Sequence, residues 1–203
     1  MEFFLYGYYL YDLRNMNIND VKNIFEQVSR LSSRVKTIKG EGAMWSYKFP
    51  DGSETRYILN EMKLPEELED DIANVFIWLW NMKNYLKKAL THKCADSNKI
   101  ESKVNSDSKL AICADIANLL KHGKLTKTRS GLFPKLGSLS YMVPQQSMKK
   151  ITFRGNEVEF DYKDFENIEV KMSVVDSSGN KVGDAFEIIN HTLNEWEQEL
   201  KSI

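Results

Sequence analysis

Cysteine is scarce in this chain. Two of the 203 residues, Cys94 and Cys113, carry a thiol, and they form no CxxC pair. That excludes a disulfide framework and a thiolate metal knuckle, and it points to a reducing, cytoplasmic setting. Long apolar runs are missing too: the nearest approach, Val75 to Trp80, falls far short of the roughly 18 residues of a membrane helix. The apolar start MEFFLYGYYLY has neither a basic n-region nor a small-residue cleavage site. It is therefore read as a buried strand over Phe3 to Leu10, and no membrane contact is expected. Charge of one sign is also lacking. A net charge of -1 and a pI near 6.3 give no global pull toward nucleic acid, so any such contact must come from a local patch.

Motifs of cofactor and metal chemistry are absent. Thr128-Arg129-Ser130-Gly131 has neither the glycine spacing nor the Gly-Lys-Ser/Thr end of a phosphate loop, and there is no GxGxxG or GxSxG. The three histidines, His92, His122 and His191, are isolated, with no HExxH. Asp115 and His122 lie almost two helical turns apart, about 10 Å along an axis, which disfavours a shared metal. No cofactor and no metal are expected.

What is present is an ordinary globular composition, 42% hydrophobic and 28% charged, enough to bury a real core. Its pattern predicts an α+β fold in three segments, 1–62, 63–136 and 137–203, which together could make one compact domain. In the first, Asn17 or Asn19 caps a helix running to about Ile38, with Val21, Ile24, Phe25, Val28, Leu31 and Val35 at helical spacing. A hairpin follows, alternating around Trp45, Tyr47 and Phe49, turning at Pro50-Asp51-Gly52 and returning from Glu54 to Leu59.

The second segment holds a long helix over about 65–90, acidic at its start and basic at its end, in accord with the helix dipole. Its middle, VFIWLWNM, is apolar on every side, which makes it the hydrophobic centre of the molecule or half of a homodimer interface. Cys94 to Asn105 reads as an exposed polar loop. In the third segment, Ile151–Phe153 and Val158–Phe160 flank a Gly155-Asn156 turn, and a strand alternates through Ile168, Val170, Met172 and Val174. These predict a small antiparallel sheet, covered by a C-terminal helix striped with Phe186, Ile189, Leu193, Trp196 and Leu200.

The stretch of greatest chemical interest is Ser106 to Gly123. Ser106 or Asp107 caps a helix over about 107–122, and Gly123 ends it. Leu110, Ile112, Cys113, Ile116, Leu119 and Leu120 form one side, while Asp115, Asn118 and His122 line up on the other. Ala111 and Ala114 flank that stripe, so it fits a packed polar seam better than an open surface. Beyond it, Lys121, Lys124, Lys127, Arg129 and Lys135 surround His122 without an acidic neighbour, making a candidate anion or RNA site beside a titratable imidazole.

Asn118 four residues before His122, with Lys121 just ahead of the histidine, resembles the motif of HEPN domains, helical RNA-cleaving modules of bacterial toxin and anti-phage systems. The position of that family's arginine holds Ala117. The segment also resembles uncharacterised bacterial and phage proteins carrying Asp-x-Ala-Asn-x-x-Lys-His, and the abundant Asn, Lys and Ile fit an AT-rich bacterial or phage genome. The HEPN resemblance implies metal-independent RNA cleavage, with His122 as acid or base, Asn118 and Asp115 beside it, and Lys121, Lys124 or Arg129 holding the backbone. The reading preferred on the sequence is instead a non-enzymatic interaction protein that recognises a protein or RNA partner, in a phage–host conflict or toxin–antitoxin setting. A third reading makes the stripe purely structural.

Overall fold

The computed structural model describes residues 17–203, so the strand expected at Phe3 to Leu10 lies outside the described residues. Among the described residues the fold is mixed α+β, with five α-helices and two small sheets. Asn17 caps α1 (Ile18–Arg34). Its Oδ1 accepts from the Asn19 and Asp20 amides, and Asp20 returns a bond to the Asn17 amide at 2.9 Å.

Helix α2 (Pro65–His92) runs through the middle of the molecule. Val75, Phe76, Leu79 and Trp80 are buried by the chain's own α1, α4 (Ser108–His122) and α5 (Ala185–Ser202). Most of the apolar run thus belongs to the hydrophobic centre, with Ile77 and Trp78 half-buried. Trp196 of α5 drives its ring into this core and donates Nε1–H to the Leu79 carbonyl at 2.9 Å, satisfying its one polar atom.

The polar connection expected from Cys94 to Asn105 is instead largely helical. Ile100 and Val104, one turn apart, are fully buried and pin α3 (Asn98–Ser106) to the core. Helix α4 is capped by Asp107, which accepts from the Leu110 amide at 2.8 Å, and it closes at Gly123 with φ 70°. Residues Leu110 to Ala117 are all buried, whereas Leu120, expected on the apolar side, lies in the last turn of α4 and is 38% exposed. An alanine Cβ at Gly123 would meet nothing within 4 Å, so only the left-handed backbone opposes it. Gly123→Ala is expected to lower stability by about 1 kcal/mol with an unchanged denaturant slope, as read by urea unfolding.

The strands arrange themselves differently from their order in sequence. β1 (Ala43–Lys48) and β2 (Glu54–Leu59) form the expected hairpin, and β4 (Met148–Arg154) and β5 (Glu157–Tyr162) form another. The two hairpins join through a parallel β2–β5 pairing, Tyr57 beside Val158, into one four-stranded sheet ordered β1-β2-β5-β4. β6 (Glu169–Val175) belongs to a second, antiparallel sheet with β3 (Lys135–Met142) and β7 (Lys181–Asp184). β3 escapes a two-residue pattern search because its register slips between Leu136 and Leu139, which breaks the alternation.

Candidate functional site

The α4 stripe turns inward at its start and reaches water only at its end. Asp115 is 1% exposed, and its oxygens are taken by the loop that follows the helix. The Arg129 amide donates to both oxygens at 2.9 and 3.1 Å, and the Ser130 amide and hydroxyl donate to Oδ2 at 2.9 and 2.7 Å. One turn on, Asn118 Oδ1 accepts from Trp80 Nε1 at 3.1 Å, tying α4 to α2.

Around these bonds sits a charged cluster that the sequence does not announce. Glu101 of α3 accepts from Lys83 and Lys87 at 2.9 and 3.1 Å and pairs with the Arg129 guanidinium at 3.2 Å. Arg129 also donates to Asn105 Oδ1, and both Arg129 and Lys83 lie over the Trp80 ring. Burial pushes the Glu101 carboxyl up, but the hydrogen bonds from Lys83 and Lys87, with the charges of Lys83 and Arg129, outweigh it and hold the group at about 2. Arg129, a sequence candidate for anion binding, is therefore already paired within the fold.

The remaining candidates are spread along the surface. His122 is exposed in the last turn of α4 and makes no hydrogen bond or ion pair among the described residues. Lys121 donates to Asn81 Oδ1 at 2.6 Å, and burial, then the charge of Lys83, pushes its ammonium below the ordinary value. Lys124 and Lys127 stand exposed in the loop, and Lys135 at the start of β3; none forms an ion pair among the described residues. Cys113 is buried, and burial pushes its thiol up to about 12, which leaves it a core residue without thiolate character.

Among the described residues one group could hold a metal ion: Asp107, His191 and Glu195 bring one ligand atom each to within 4.8 Å of one another. Each already has protein partners. His191 Nε2 lies 2.7 Å from Asp107 Oδ2, Asp107 caps α4, and Glu195 pairs with Lys103 at 2.8 Å. As it stands, the group clamps α5 against α3 and the start of α4.

The feature that neither motif nor stripe discloses is on the four-stranded sheet. Its register puts Trp45, Tyr57, Val158 and Phe153 side by side in one row, with Tyr47 and Phe49 further out on the same face. The inner end of this face, Ala43 and Leu59, is buried against Ile38, Met62, Leu68 and Ile168. The outer end has no cover among the described residues: Trp45 is 44% exposed, Tyr47 53% and Phe153 74%. Trp45 stacks on Tyr57 at 5.5 Å and Tyr47 meets Phe49 edge-on at 4.8 Å, so the rings are ordered against each other. The opposite face is polar, with Arg56 paired to Glu157 and Asn60 donating to Glu159 and Asp161. The alternation of Trp45, Tyr47 and Phe49 is visible in the sequence; their lack of cover is not.

No family model, curated protein or solved structure matches this chain.

Proposed function

We propose that this chain is a non-enzymatic interaction protein that binds a protein partner through the aromatic face of its four-stranded sheet. The observation that carries the reading is the set of exposed rings on one face, Trp45, Tyr47 and Phe153, with Phe49 and Ile151 beside them. Side chains of about 150–250 Å² each, left between a third and three quarters exposed, present roughly 500 Å² of apolar surface, a size that on a folded chain marks a contact site. A protein suits this face better than RNA. By register the charged side chains of the four strands, Lys149 in the β4 bulge apart, fall on the opposite face, so no basic groove follows a phosphate backbone beside the rings. The α4 stripe supports the same reading by elimination: Asp115 and Asn118 spend their acceptor oxygens within the fold, which leaves His122 without the partners that proton transfer to RNA would use.

Two measurements test this. Labelled RNA incubated with the protein in excess chelator is expected to stay intact; cleavage that disappears in His122→Ala would overturn the reading in favour of a metal-independent ribonuclease. His122→Ala itself is expected to change stability by less than about 1 kcal/mol, since the ring is exposed and makes no hydrogen bond or ion pair among the described residues. In parallel, capture from a lysate of the source cell is compared for the parent, Phe153→Ser and Lys124→Ser. Loss of the same captured proteins with Phe153→Ser alone is expected; loss with Lys124→Ser alone would move the contact surface to the basic loop.

A further inference from the structure

We infer that Asp107, His191 and Glu195 form a binding site for a divalent transition-metal ion such as zinc, at the junction of α3, α4 and α5. The first argument is placement. His191 and Glu195 lie four residues apart on α5, so their side chains rise from one face of that helix, one turn apart. Asp107 ends α3 and caps α4 on the facing side. One imidazole nitrogen and two carboxylate oxygens thus converge from separate elements, all within 4.8 Å of one another. A four-coordinate zinc ion with bonds of about 2.0–2.2 Å spaces its ligand atoms about 3.3 Å apart. To hold it, the 2.7 Å contact between His191 and Asp107 opens slightly and Glu195 turns inward, movements that side-chain rotation supplies.

The second argument is how the charges rearrange. Asp107 has no lysine or arginine partner among the described residues: its Oδ1 accepts from the Leu110 amide, which orients the carboxylate, and its Oδ2 accepts from His191. Glu195 is held by Lys103 at 2.8 Å, but Lys103 also reaches Glu199 at 2.9 Å. When Glu195 turns to a metal, Lys103 therefore keeps a counter-charge, and no half-buried ammonium is stranded. Three carboxylates, those of Asp107, Glu195 and Glu199, share the two ammonium groups of Lys99 and Lys103, and a divalent ion offsets the excess. His191 gives up its Nε2 proton, takes one on Nδ1 and binds the ion through the freed lone pair. An imidazole with two carboxylates suits zinc or cobalt, whereas calcium and magnesium favour oxygen alone. The three side chains are each 20–30% exposed, open enough for the ion to enter and for water to complete its coordination.

Isothermal titration of the full chain with zinc chloride tests this, each variant first being checked for the parent far-UV circular dichroism. The parent is expected to bind one zinc ion per chain with a Kd below about 10 µM. His191→Ala and the conservative Glu195→Gln are each expected to weaken binding at least about tenfold. Lys103→Met, which frees Glu195 from its competing ammonium, is expected to tighten it about threefold. The control is His92→Ala combined with Cys94→Ser, because both side chains are exposed and could take up zinc by themselves; that variant is expected to bind like the parent. Absence of saturable zinc binding by the parent overturns the site, as does binding that is lost in the control and kept in His191→Ala. Zinc affinity that Lys103→Met leaves unchanged or weakens removes Glu195 from the ligand set, and the site falls with it.

Discussion

Asp115→Ala is expected to cost about 2–4 kcal/mol of folding stability. The carboxyl group is buried and is the acceptor for three donors, the amides of Arg129 and Ser130 and the Ser130 hydroxyl. Truncation leaves two backbone N–H groups facing a small cavity, and an unsatisfied buried donor costs about 1–3 kcal/mol. The damage spreads because the same bonds hold the Arg129 backbone where its guanidinium reaches Glu101 and covers Trp80. Urea unfolding measures the loss, and hydrogen exchange locates it: the Arg129 and Ser130 amides should exchange much faster in the variant, while the Leu79 and Val75 amides of α2 follow only the global change. Asp115→Asn keeps the volume but exchanges one acceptor oxygen for a donor, so it should recover only part of the loss. A cost below 1 kcal/mol with unchanged exchange at Arg129 would show that the loop is held by other means. Asp115 variants are accordingly poor probes of function, and His122, exposed at the helix end, is the cleaner one.

That contrast shows what could be read from the residues alone. Ends of helices are marked locally: Asn17 with Asp20, Pro65 at the start of α2, and Gly123 at the end of α4 all act within four residues of the boundary they set. The small neighbours Ala111 and Ala114 likewise signal that the stripe beside them is packed. What Asp115 packs against is set by a loop 14 and 15 residues later, and no spacing rule encodes that. α3 is hidden because its two apolar anchors, Ile100 and Val104, sit among Lys, Glu, Ser and Asn. Sheet partnership is the least legible. β2 and β5 are about a hundred residues apart, and no local spacing signals their parallel pairing. The aromatic alternation of β1 announces one apolar face, and it holds equally for a covered and an uncovered face. The decisive quantity is how far the body reaches along the strand, and it stops after Ala43 and Leu59.

The Glu101 cluster yields the second large effect, and pH separates its origin from simple packing. Glu101 is the shared counter-charge for Lys83, Lys87 and Arg129, so Glu101→Gln removes one anion and leaves three cations close together. Lys121 stands near the same group, since the charge of Lys83 contributes to its lowered ammonium value. A carboxyl held at about 2 in the folded chain, against an ordinary 4.5, contributes stability that is present above about pH 4.5 and is lost as the pH falls toward 2. The shift corresponds to roughly 3 kcal/mol at most, and partial exposure of the group lowers this to about 2–3. Glu101→Gln should therefore be about 2–3 kcal/mol less stable than the parent at pH 7, and the gap should close progressively from about pH 5 down to pH 2. Above pH 5 the gap should stay level, because the carboxyl is fully ionised in both the folded and unfolded chain. Urea unfolding of parent and variant across this range reads the curve. A gap that persists undiminished at pH 2 would assign the loss to packing or to the shape of the glutamine side chain. A gap absent at pH 7 would mean that the ion pairs seen around Trp80 only balance the cost of drawing four charges out of water.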